Sequence, residues 1–303
     1  MACGHYIGFS RIYNTQSQPG TFTVLILWIT LEGILLIVKD AKSWRGAALL
    51  ALGISIKIIP LIALGYLFLK GKFRSIFYTL LLTALAFVLP VLFLGIDYNN
   101  ELLGKWRDKV NPTGERYVFE NNNGCQSLNA VLPAFFYEFP ADENIVEEQR
   151  PYERQIAQIP YDTLVVVLNV LRILLLLSVL LVVCFWNSGN LPFNTYWQLA
   201  YLMLVSLIVF PHQMKYSMLY FIPAVGYLLA YYFYKREEKA VFSSREKIVL
   251  SMAGFQVLVM TISGRDTIGG TAVDFLDYFH FMGLSNISFV GYLLLLNPKR
   301  LVV

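Results

Sequence analysis

The chain has 303 residues, of which 57% are hydrophobic and 15% are charged, and its formal net charge is +4. Soluble domains carry about 25% charged residues, so this composition, with a mean hydropathy of +0.57, excludes an ordinary soluble domain and predicts an integral membrane protein. The positive balance does not indicate nucleic-acid binding, because the basic residues lie in short loops between apolar segments.

Eight apolar segments follow one another along the chain. Most of them approach or exceed the ~20 residues that a helix needs to cross the hydrocarbon core of a bilayer. We therefore predict an all-α polytopic membrane protein that forms a single transmembrane domain over residues 1–303. The segments are 20–38, 46–69, 75–96, 161–186, 196–210, 216–234, 248–263 and 281–296.

The second segment carries a charge at its midpoint, because Lys57 lies about halfway along it and Pro60 follows three residues later. A charged side chain at mid-bilayer depth costs at least ~2.5–3.5 kcal/mol and is usually retained for a partner, a cavity or a ligand. Proline lacks an amide donor and clashes with the preceding helical turn. We predict that Lys57 lies beside a helix break, where exposed backbone groups and a cation can bind an anion.

The basic residues of the short loops indicate the topology. If segment 46–69 enters and leaves on the same side, nearly all of these residues become cytoplasmic, as the positive-inside rule requires. Each arm would have about 11 residues, or roughly 17 Å of helix, and would reach only the middle of the membrane. We therefore predict a re-entrant hairpin. The alternative is that all eight segments cross, with 39–45 outside. The cytoplasmic cations of the hairpin topology are Lys39, Lys42, Arg45, Lys70, Lys72, Arg74, Lys235, Arg236, Lys239, Arg245, Lys247, Lys299 and Arg300.

This topology places both the amino terminus and the polar segment 97–160 on the outer side of the membrane. The segment 97–160 then forms a large periplasmic or lumenal loop. Residues 1–20 contain neither a basic n-region nor the apolar stretch of a signal peptide. We therefore expect further spans upstream in the complete protein, and an incomplete, weakly active chain as given. The expected location is a bacterial inner membrane.

Other polar residues inside the apolar segments have a structural interpretation. We predict that Glu32 pairs with Arg172 or with Lys57. The three cysteines, Cys3, Cys125 and Cys184, are too scattered along the chain for a zinc site, and at most allow a disulfide between Cys3 and Cys125.

The outer loop contains a run of asparagines and a glycine that leads into Ser127, followed by an apolar stretch. Serine is a favoured N-cap, so this pattern predicts a helix that begins after Ser127. The free amides of a helix N-terminus suit a phosphate or a sugar. The alternative is a capped helix at the membrane surface without a ligand.

A second candidate follows Pro211, at the outer junction of two segments. If a helix begins there, His212, Lys215 and Tyr216 share one face at positions i, i+3 and i+4. This face suits a lipid phosphate. The alternative is that the three side chains only anchor the chain at the membrane interface.

The order of these motifs resembles a known family. A basic loop, GISIKIIPLIAL with the basic KGKFR after it, an outer loop with GCQSLNAVL, and PHQMKYSMLYFIPAV occur in sequence. This order resembles glycosyltransferase family 87, polytopic GT-C type transferases similar to polyprenol-phosphate-mannose-dependent mannosyltransferases. The tetrapeptide at 17–20, SQPG, resembles the family's Gly-Gln-x-Asn and departs from it at two of four positions.

The resemblance implies a hexosyltransferase, in particular a mannosyltransferase. It would move a sugar from a polyprenyl-phosphate donor to a lipid or glycan acceptor on the outer face, with inversion at the anomeric carbon. It also implies which residues bind the donor phosphate or the substrate, namely Lys57, Gln126, Ser127, His212 and Lys215.

The resemblance leaves the catalytic base unassigned. The acid that serves as base in this chemistry lies in a first outer loop that has no counterpart here, and spacing distinguishes none of the outer aspartates, Asp97, Asp108, Asp266, Asp274 and Asp277. No cofactor and no metal ion are expected, because the chain contains no Asp-x-Asp sequence.

Two other functions stay open at this point. A broken helix with a midplane charge is also found in transporters and flippases, although these usually show paired discontinuous helices and the sequence indicates one. A polymerase or ligase of lipid-linked glycans would share the membrane setting and the outer active face.

Overall fold

A computed structural model describes residues 17–40, 43–110, 118–139, 154–186 and 193–301. Within these ranges the regular elements are helices, and the extended contacts amount to one isolated bridge between Cys125 and Met214. The all-α prediction is confirmed. The α-helices are α1 (Ser17–Lys39), α2 (Trp44–Ile56), α3 (Ile62–Leu69), α4 (Phe73–Val88), α5 (Val91–Leu94), α6 (Ile96–Val110), α7 (Leu128–Phe136), α8 (Tyr161–Phe185), α9 (Asn194–Val209), α10 (Ile222–Glu237), α11 (Ser244–Ile262), α12 (Arg265–Ile268), α13 (Gly270–Tyr278) and α14 (Phe281–Leu295). Short 3₁₀ helices cover Ile59–Leu61, Lys215–Phe221 and Pro298–Arg300.

In the part of the chain that the structure describes, four helical stretches are long and apolar enough to cross a membrane, and α13 with α14 gives a fifth if this pair, bent by 55°, is one span. The polytopic membrane character is confirmed, with fewer full-length spans than apolar segments. One reason is length, since the 16 residues of α9 extend only about 24 Å. Another is charge, since the first turn of α11 carries Arg245, Glu246 and Lys247. The four stretches are Phe22–Lys39, Phe73–Leu94, Tyr161–Phe185 and Lys215–Glu237.

The segment 46–69 forms the predicted hairpin. The α2 helix ends at Ile56, Lys57 has extended backbone angles (φ −145°, ψ 134°), and the chain turns back through Ile59–Leu61. Pro60 packs on the tip of α2 so closely that a Cβ placed on Gly53 would lie 3.4 Å from its ring.

The exit of the hairpin lies beside its entry. The Lys72 Nζ donates a hydrogen bond to the carbonyl of Val38, 3.3 Å away, at the carboxyl end of α1. The chain enters the hairpin at this same end, because only Asp40 to Ser43 separate α1 from α2. The alternative in which this segment crosses the membrane is therefore wrong, since Lys72 would then lie at the opposite end of α1.

Close packing holds the hairpin against α1. A Cβ added to Gly46 would lie 2.6 Å from the carbonyl oxygen of Gly33, so the two helices meet backbone to backbone at this point. Small residues allow such approaches between membrane helices, where van der Waals packing replaces the hydrophobic effect.

The α9 helix is the centre of the fold, because nearly every one of its residues is buried. A helix that is apolar on all sides must be surrounded by other helices. Three side-chain hydrogen bonds connect α9 to its neighbours. They are Trp197 Nε1 to the carbonyl of Leu293 (2.8 Å), Tyr66 Oη to Gln198 Oε1 (3.4 Å), and Ser178 Oγ with Tyr201 Oη (2.7 Å).

The basic loops gather at one end of the molecule, opposite to the tip of the hairpin. Lys70 lies near Cys184 at the end of α8, and the Lys299 Nζ lies 5.6 Å from the ring centroid of the adjacent Trp186. This grouping agrees with the predicted cytoplasmic side.

One buried charge is also neutralised at the basic end. The Lys235 Nζ donates to Glu246 Oε1 at 2.7 Å, and Tyr231 and the backbone amide of Ser243 donate to the same carboxylate. Burial opposes ionisation of Glu246, but these hydrogen bonds outweigh it and lower its pKa to about 2.

Labelling of introduced cysteines tests the hairpin. Arg45→Cys and Arg74→Cys lie at the two ends of the hairpin, and we expect both to resist a membrane-impermeant thiol reagent in intact cells and to react after permeabilisation. Asp108→Cys, on the exposed outer helix α6, is the control and reacts in intact cells. Labelling of one hairpin position without the other would place the two ends on opposite sides of the membrane.

Candidate functional site

Three segments distant in sequence meet at the end of the molecule opposite to the basic loops. They are the loop before α7, the junction between α9 and α10, and the break between α13 and α14. The Gln126 amide donates to the carbonyl of Gln213 at 2.8 Å, while its side-chain Oε1 accepts from the amide of Gly283 at 3.0 Å. The ring of His280 lies 2.9 Å from the carbonyl of Cys125. Gln126 therefore joins all three segments.

Ser127 occupies the predicted N-cap position of α7 but does not cap the helix through its side chain. Its backbone is extended (φ −77°, ψ 168°) and α7 begins at the next residue. The hydroxyl oxygen is buried and makes no hydrogen bond with any residue in the described ranges. The predicted position is confirmed, and the predicted capping bond is not made.

Lys57 lies beside the helix break, as predicted, and faces the junction. Its Nζ donates to Ser217 Oγ at 2.9 Å. The same ammonium lies over the rings of Tyr216 and Tyr220, 5.2 and 5.9 Å from their centroids. Cation–π contacts of this kind stabilise an ammonium that has left water.

The predicted pairing of Glu32 with Arg172 or Lys57 is wrong. Arg172 donates instead to Asn169 Oδ1 (3.0 Å) and to Asn129 Oδ1 of α7 (2.6 Å). Lys57 binds Ser217, and no salt bridge of Glu32 is present among the residues that the structure describes. The physical reason is that α7 packs against α8 and presents the amide oxygen of Asn129 to the guanidinium, where the prediction placed a carboxylate.

The predicted helical face after Pro211 is also wrong. The α9 helix ends at Val209, Phe210 is extended (ψ 130°), and His212 has a positive φ of 56°. The proline disfavours helical angles at Phe210, the residue before it, and so ends α9. The left-handed conformation of His212 then prevents a helix from beginning at Pro211, and the next helical turn begins at Lys215. The three side chains therefore diverge. His212 lies beside Glu120, Lys215 contacts the carboxylate of Asp277, and Tyr216 lies below Lys57.

Three further residues of this site have no signal in the sequence. Arg154 donates to Asn123 Oδ1 at 3.0 Å and to the carbonyl of Tyr278 at 2.6 Å, and so connects the outer loop to α13. His280 is buried and has a positive φ of 48° at the break between α13 and α14. Glu120 is buried beside His212. No motif marks these residues, because each is placed by contacts between segments far apart in the chain.

The break at Phe279 and His280 is a second discontinuity in addition to that at Lys57. Only the first is indicated by the sequence, because the second contains neither proline nor glycine. Both breaks lie at the end opposite to the basic loops, where Gln126, His280 and Ser217 satisfy polar groups around them.

Cys125 lies where the loop before α7, the junction between α9 and α10, and the break between α13 and α14 meet, a region called the outer cluster below after its predicted side of the membrane. It is almost fully buried, and its thiol lies 3.9 Å from His212 Nδ1. Burial, and after it the neighbouring Glu120, raises the pKa of the Cys125 thiol, which is therefore protonated at neutral pH.

An apolar groove begins at Lys215 and follows α10 and α11. A cavity of about 480 Å³ contains Lys215 at one end, and an adjoining cavity of about 360 Å³ extends along the same helices to Tyr232. The two cavities share Val225, Leu229 and Val257 in their walls. The walls are otherwise almost entirely apolar, so the groove offers a cation at its outer mouth and hydrocarbon below it.

The chain matches glycosyltransferase family 87 over residues 16–211. It belongs to this family. The matched region contains Lys57, Gln126 and Ser127 and ends at Pro211, directly before His212. No curated protein and no solved structure matches the chain. Family membership makes the protein a membrane glycosyltransferase, an enzyme rather than the transporter considered from sequence.

Substitutions at two glycines of α14 test whether the close contact between Gly283 and the backbone of Gln126 maintains the site. A Cβ on Gly283 would lie 2.5 Å from Val131 and 2.7 Å from the carbonyl oxygen of Gln126, whereas a Cβ on Gly291 would meet nothing within 4 Å. Gly283→Ala should lower the free energy of unfolding by about 1–3 kcal/mol through overpacking and reduce transferase activity.

The matched control is Gly291→Ala, which should be neutral or slightly stabilising, because alanine in a helix interior is favoured over glycine by roughly 0.5–1 kcal/mol. Thermal unfolding in detergent measures both variants. Equal behaviour of the two would show that the loop at Gln126 does not depend on close contact with α14.

Proposed function

We propose that this glycosyltransferase transfers a hexose, specifically mannose, from a polyprenyl-phosphate donor to a lipid or glycan acceptor on the outer face of a bacterial inner membrane. The observation that carries the proposal is the position of Lys215 at the mouth of the apolar groove. A polyprenyl phosphate has the same two parts in the same order, an anionic head and a long hydrocarbon tail. The GT-C architecture that the sequence resemblance implies is part of this proposal.

The groove fits the tail of such a donor in length and chemistry. From Lys215 to Tyr232 the chain is helical throughout, first as a 3₁₀ turn and then as α10. This stretch extends roughly 25–30 Å, about the thickness of the hydrocarbon core. Apolar side chains from α10 and α11 line it, so an isoprenoid chain would replace lipid without burying a polar group.

The residues around the mouth suit the phosphate. An ammonium has three N–H donors. Lys215 uses one on Asp277, and Lys57 uses one on Ser217, so both keep donors for phosphate oxygens. His212 is about half exposed at the same junction. The amino end of α7, which follows Gln126 and Ser127, directs backbone amides towards an anion.

The proposed chemistry is a displacement at the anomeric carbon. An acceptor oxygen forms the new glycosidic bond there while the bond from that carbon to the phosphate oxygen breaks. The phosphate leaves with the electron pair on the polyprenyl carrier, and the acceptor proton passes to a base. Cations placed at the departing oxygen stabilise the charge that develops on it, which is the role proposed for Lys57 and Lys215.

None of the five aspartates named above is proposed as the base. Asp277 contacts Lys215, and Asp274 contacts Arg265, so both carboxylates already have a cationic partner. Asp97, Asp108 and Asp266 are exposed and make no contact with the residues of the outer cluster that the structure describes.

Replacement of the lysines tests phosphate binding. Lys215→Met and Lys57→Met should each weaken binding of polyprenyl-phosphate mannose about 10-fold or more, because hydrogen bonds to charged groups contribute roughly 1.5–3 kcal/mol. Lys247→Met, exposed at the basic end of α11, is the matched control and should bind the donor normally. Binding in reconstituted bilayers measures all three. Normal donor affinity in both site variants would leave the two lysines as structural residues.

Filling the groove tests where the tail lies. Leu229→Trp places a bulky ring in the wall shared by the two cavities, whereas Leu258→Trp adds the same ring to an exposed position of α11 outside the groove. We expect Leu229→Trp to raise KM for a long-chain donor more than for a donor with one or two isoprene units, and Leu258→Trp to change neither. Equal effects on long and short donors would place the tail elsewhere on the protein.

A further inference from the structure

A cluster of three metal-binding side chains lies between the outer loop and the junction. Glu120, Cys125 and His212 each offer one ligand atom, and these atoms all lie within 4.8 Å of one another. The Cys125 Sγ is 3.9 Å from His212 Nδ1, and Glu120 Oε2 is 3.7 Å from the same nitrogen. The three residues come from two segments separated by more than 80 positions, so their spacing in the sequence gives no metal signature.

The separations are close to those of a tetrahedral zinc site. Zinc binds thiolate sulfur at ~2.3 Å and imidazole nitrogen or carboxylate oxygen at ~2.0–2.2 Å, which places neighbouring ligands about 3.4–3.6 Å apart. These two separations exceed this range by a few tenths of an ångström, and the third, between the thiol and the carboxylate, is at most 4.8 Å. A small movement of side chains would therefore bring all three ligands onto one ion.

Glu120 supplies the second, independent observation. Its side chain is 5% exposed, and no N–H or O–H group of the described residues donates a hydrogen bond to either carboxylate oxygen. Its polar neighbours are the Cys125 thiol and the His212 ring. Its closest cationic neighbour, the His212 ring, lies beyond the usual hydrogen-bond distance and is charged only when it is protonated. Buried carboxylates are normally paired or coordinate a metal. This carboxylate is directed at a thiol and an imidazole, which are the other two common ligands of zinc.

We propose that Glu120, Cys125 and His212 bind one Zn²⁺ ion, with water as the fourth ligand. One oxygen, one nitrogen and one sulfur ligand form a donor set that suits zinc. The ion joins the loop that carries Gln126 to the junction that carries Lys215, and so fixes the two sides of the outer cluster. This inference does not depend on the identity of the sugar donor.

Metal content is the first test. Tag-free protein is purified with Zn²⁺, passed through a desalting column and analysed by mass spectrometry of the metal. We expect one zinc per chain in the wild type and loss of most of it in Cys125→Ser and Glu120→Gln. Cys184→Ser is the matched control, because Cys184 is exposed at the opposite end of the molecule, and it should retain the metal. X-ray absorption of the wild type should show one sulfur neighbour at ~2.3 Å.

Stability separates this proposal from a simple ion pair of Glu120 with His212. Zinc should raise the Tm of the wild type and of Cys184→Ser by mass action but not the Tm of Glu120→Gln. In chelator, Glu120→Gln should be at least as stable as the wild type, because the substitution removes a buried charge that then has no metal.

The proposal is overturned if the wild type retains no zinc, if Cys125→Ser and Glu120→Gln retain as much as Cys184→Ser, or if no sulfur neighbour is found. It is also overturned if Glu120→Gln is destabilised to the same degree with and without zinc, since that result assigns Glu120 to an ion pair with His212.

Discussion

The contact between Lys57 and Ser217 is the interaction on which the outer half of this protein depends. A lysine at the tip of a re-entrant hairpin cannot reach bulk water through either arm, so it must find its partners inside the protein. It finds a hydroxyl and two aromatic rings, all on the 3₁₀ helix Lys215–Phe221. The hairpin thereby fixes the orientation of the helical turn that presents Lys215 at the mouth of the groove.

Three helix breaks meet the same requirement, because their polar groups also need partners inside the protein. A membrane helix that is interrupted leaves backbone groups without partners, and such groups are tolerated only where protein or a polar cavity surrounds them. The breaks at Lys57, at residues 210–214 and at His280 lie at one end of the molecule. The loop around Gln126 contacts the second and the third of them, and Lys57 contacts the helical turn that follows the second. Concentrating the interruptions creates a polar region with several cations, next to an apolar groove. That combination suits a substrate that is charged at one end and hydrocarbon at the other.

The sequence predicted the features that one segment determines by itself. Cations in short loops and the pair Lys57 and Pro60 indicated the hairpin, and the hydrogen bond from Lys72 to Val38 confirms it. The position of Ser127 at the start of α7 follows from its local propensity and is also confirmed.

For features that depend on distant segments, the predictions from sequence were wrong or were not made. The prediction of a common helical face for His212 and Lys215 was wrong because His212 adopts a left-handed conformation, and Arg172 binds an amide oxygen of α7 where a carboxylate was expected. The break at His280 and the buried Glu120 left no pattern at all, because packing against the outer loop alone determines their conformation and surroundings. Charge and periodicity reveal which segment is unusual, whereas the partner of each polar group is decided by the three-dimensional arrangement.

The most direct test of the proposed donor site is an electron cryo-microscopy structure of the protein in a lipid nanodisc with a non-hydrolysable polyprenyl-phosphate mannose analogue. The account predicts density for the phosphate within hydrogen-bond distance of the Lys215 ammonium, and for the isoprenoid chain between α10 and α11. Density for the phosphate away from Lys215, with lipid alone filling the groove, would contradict it.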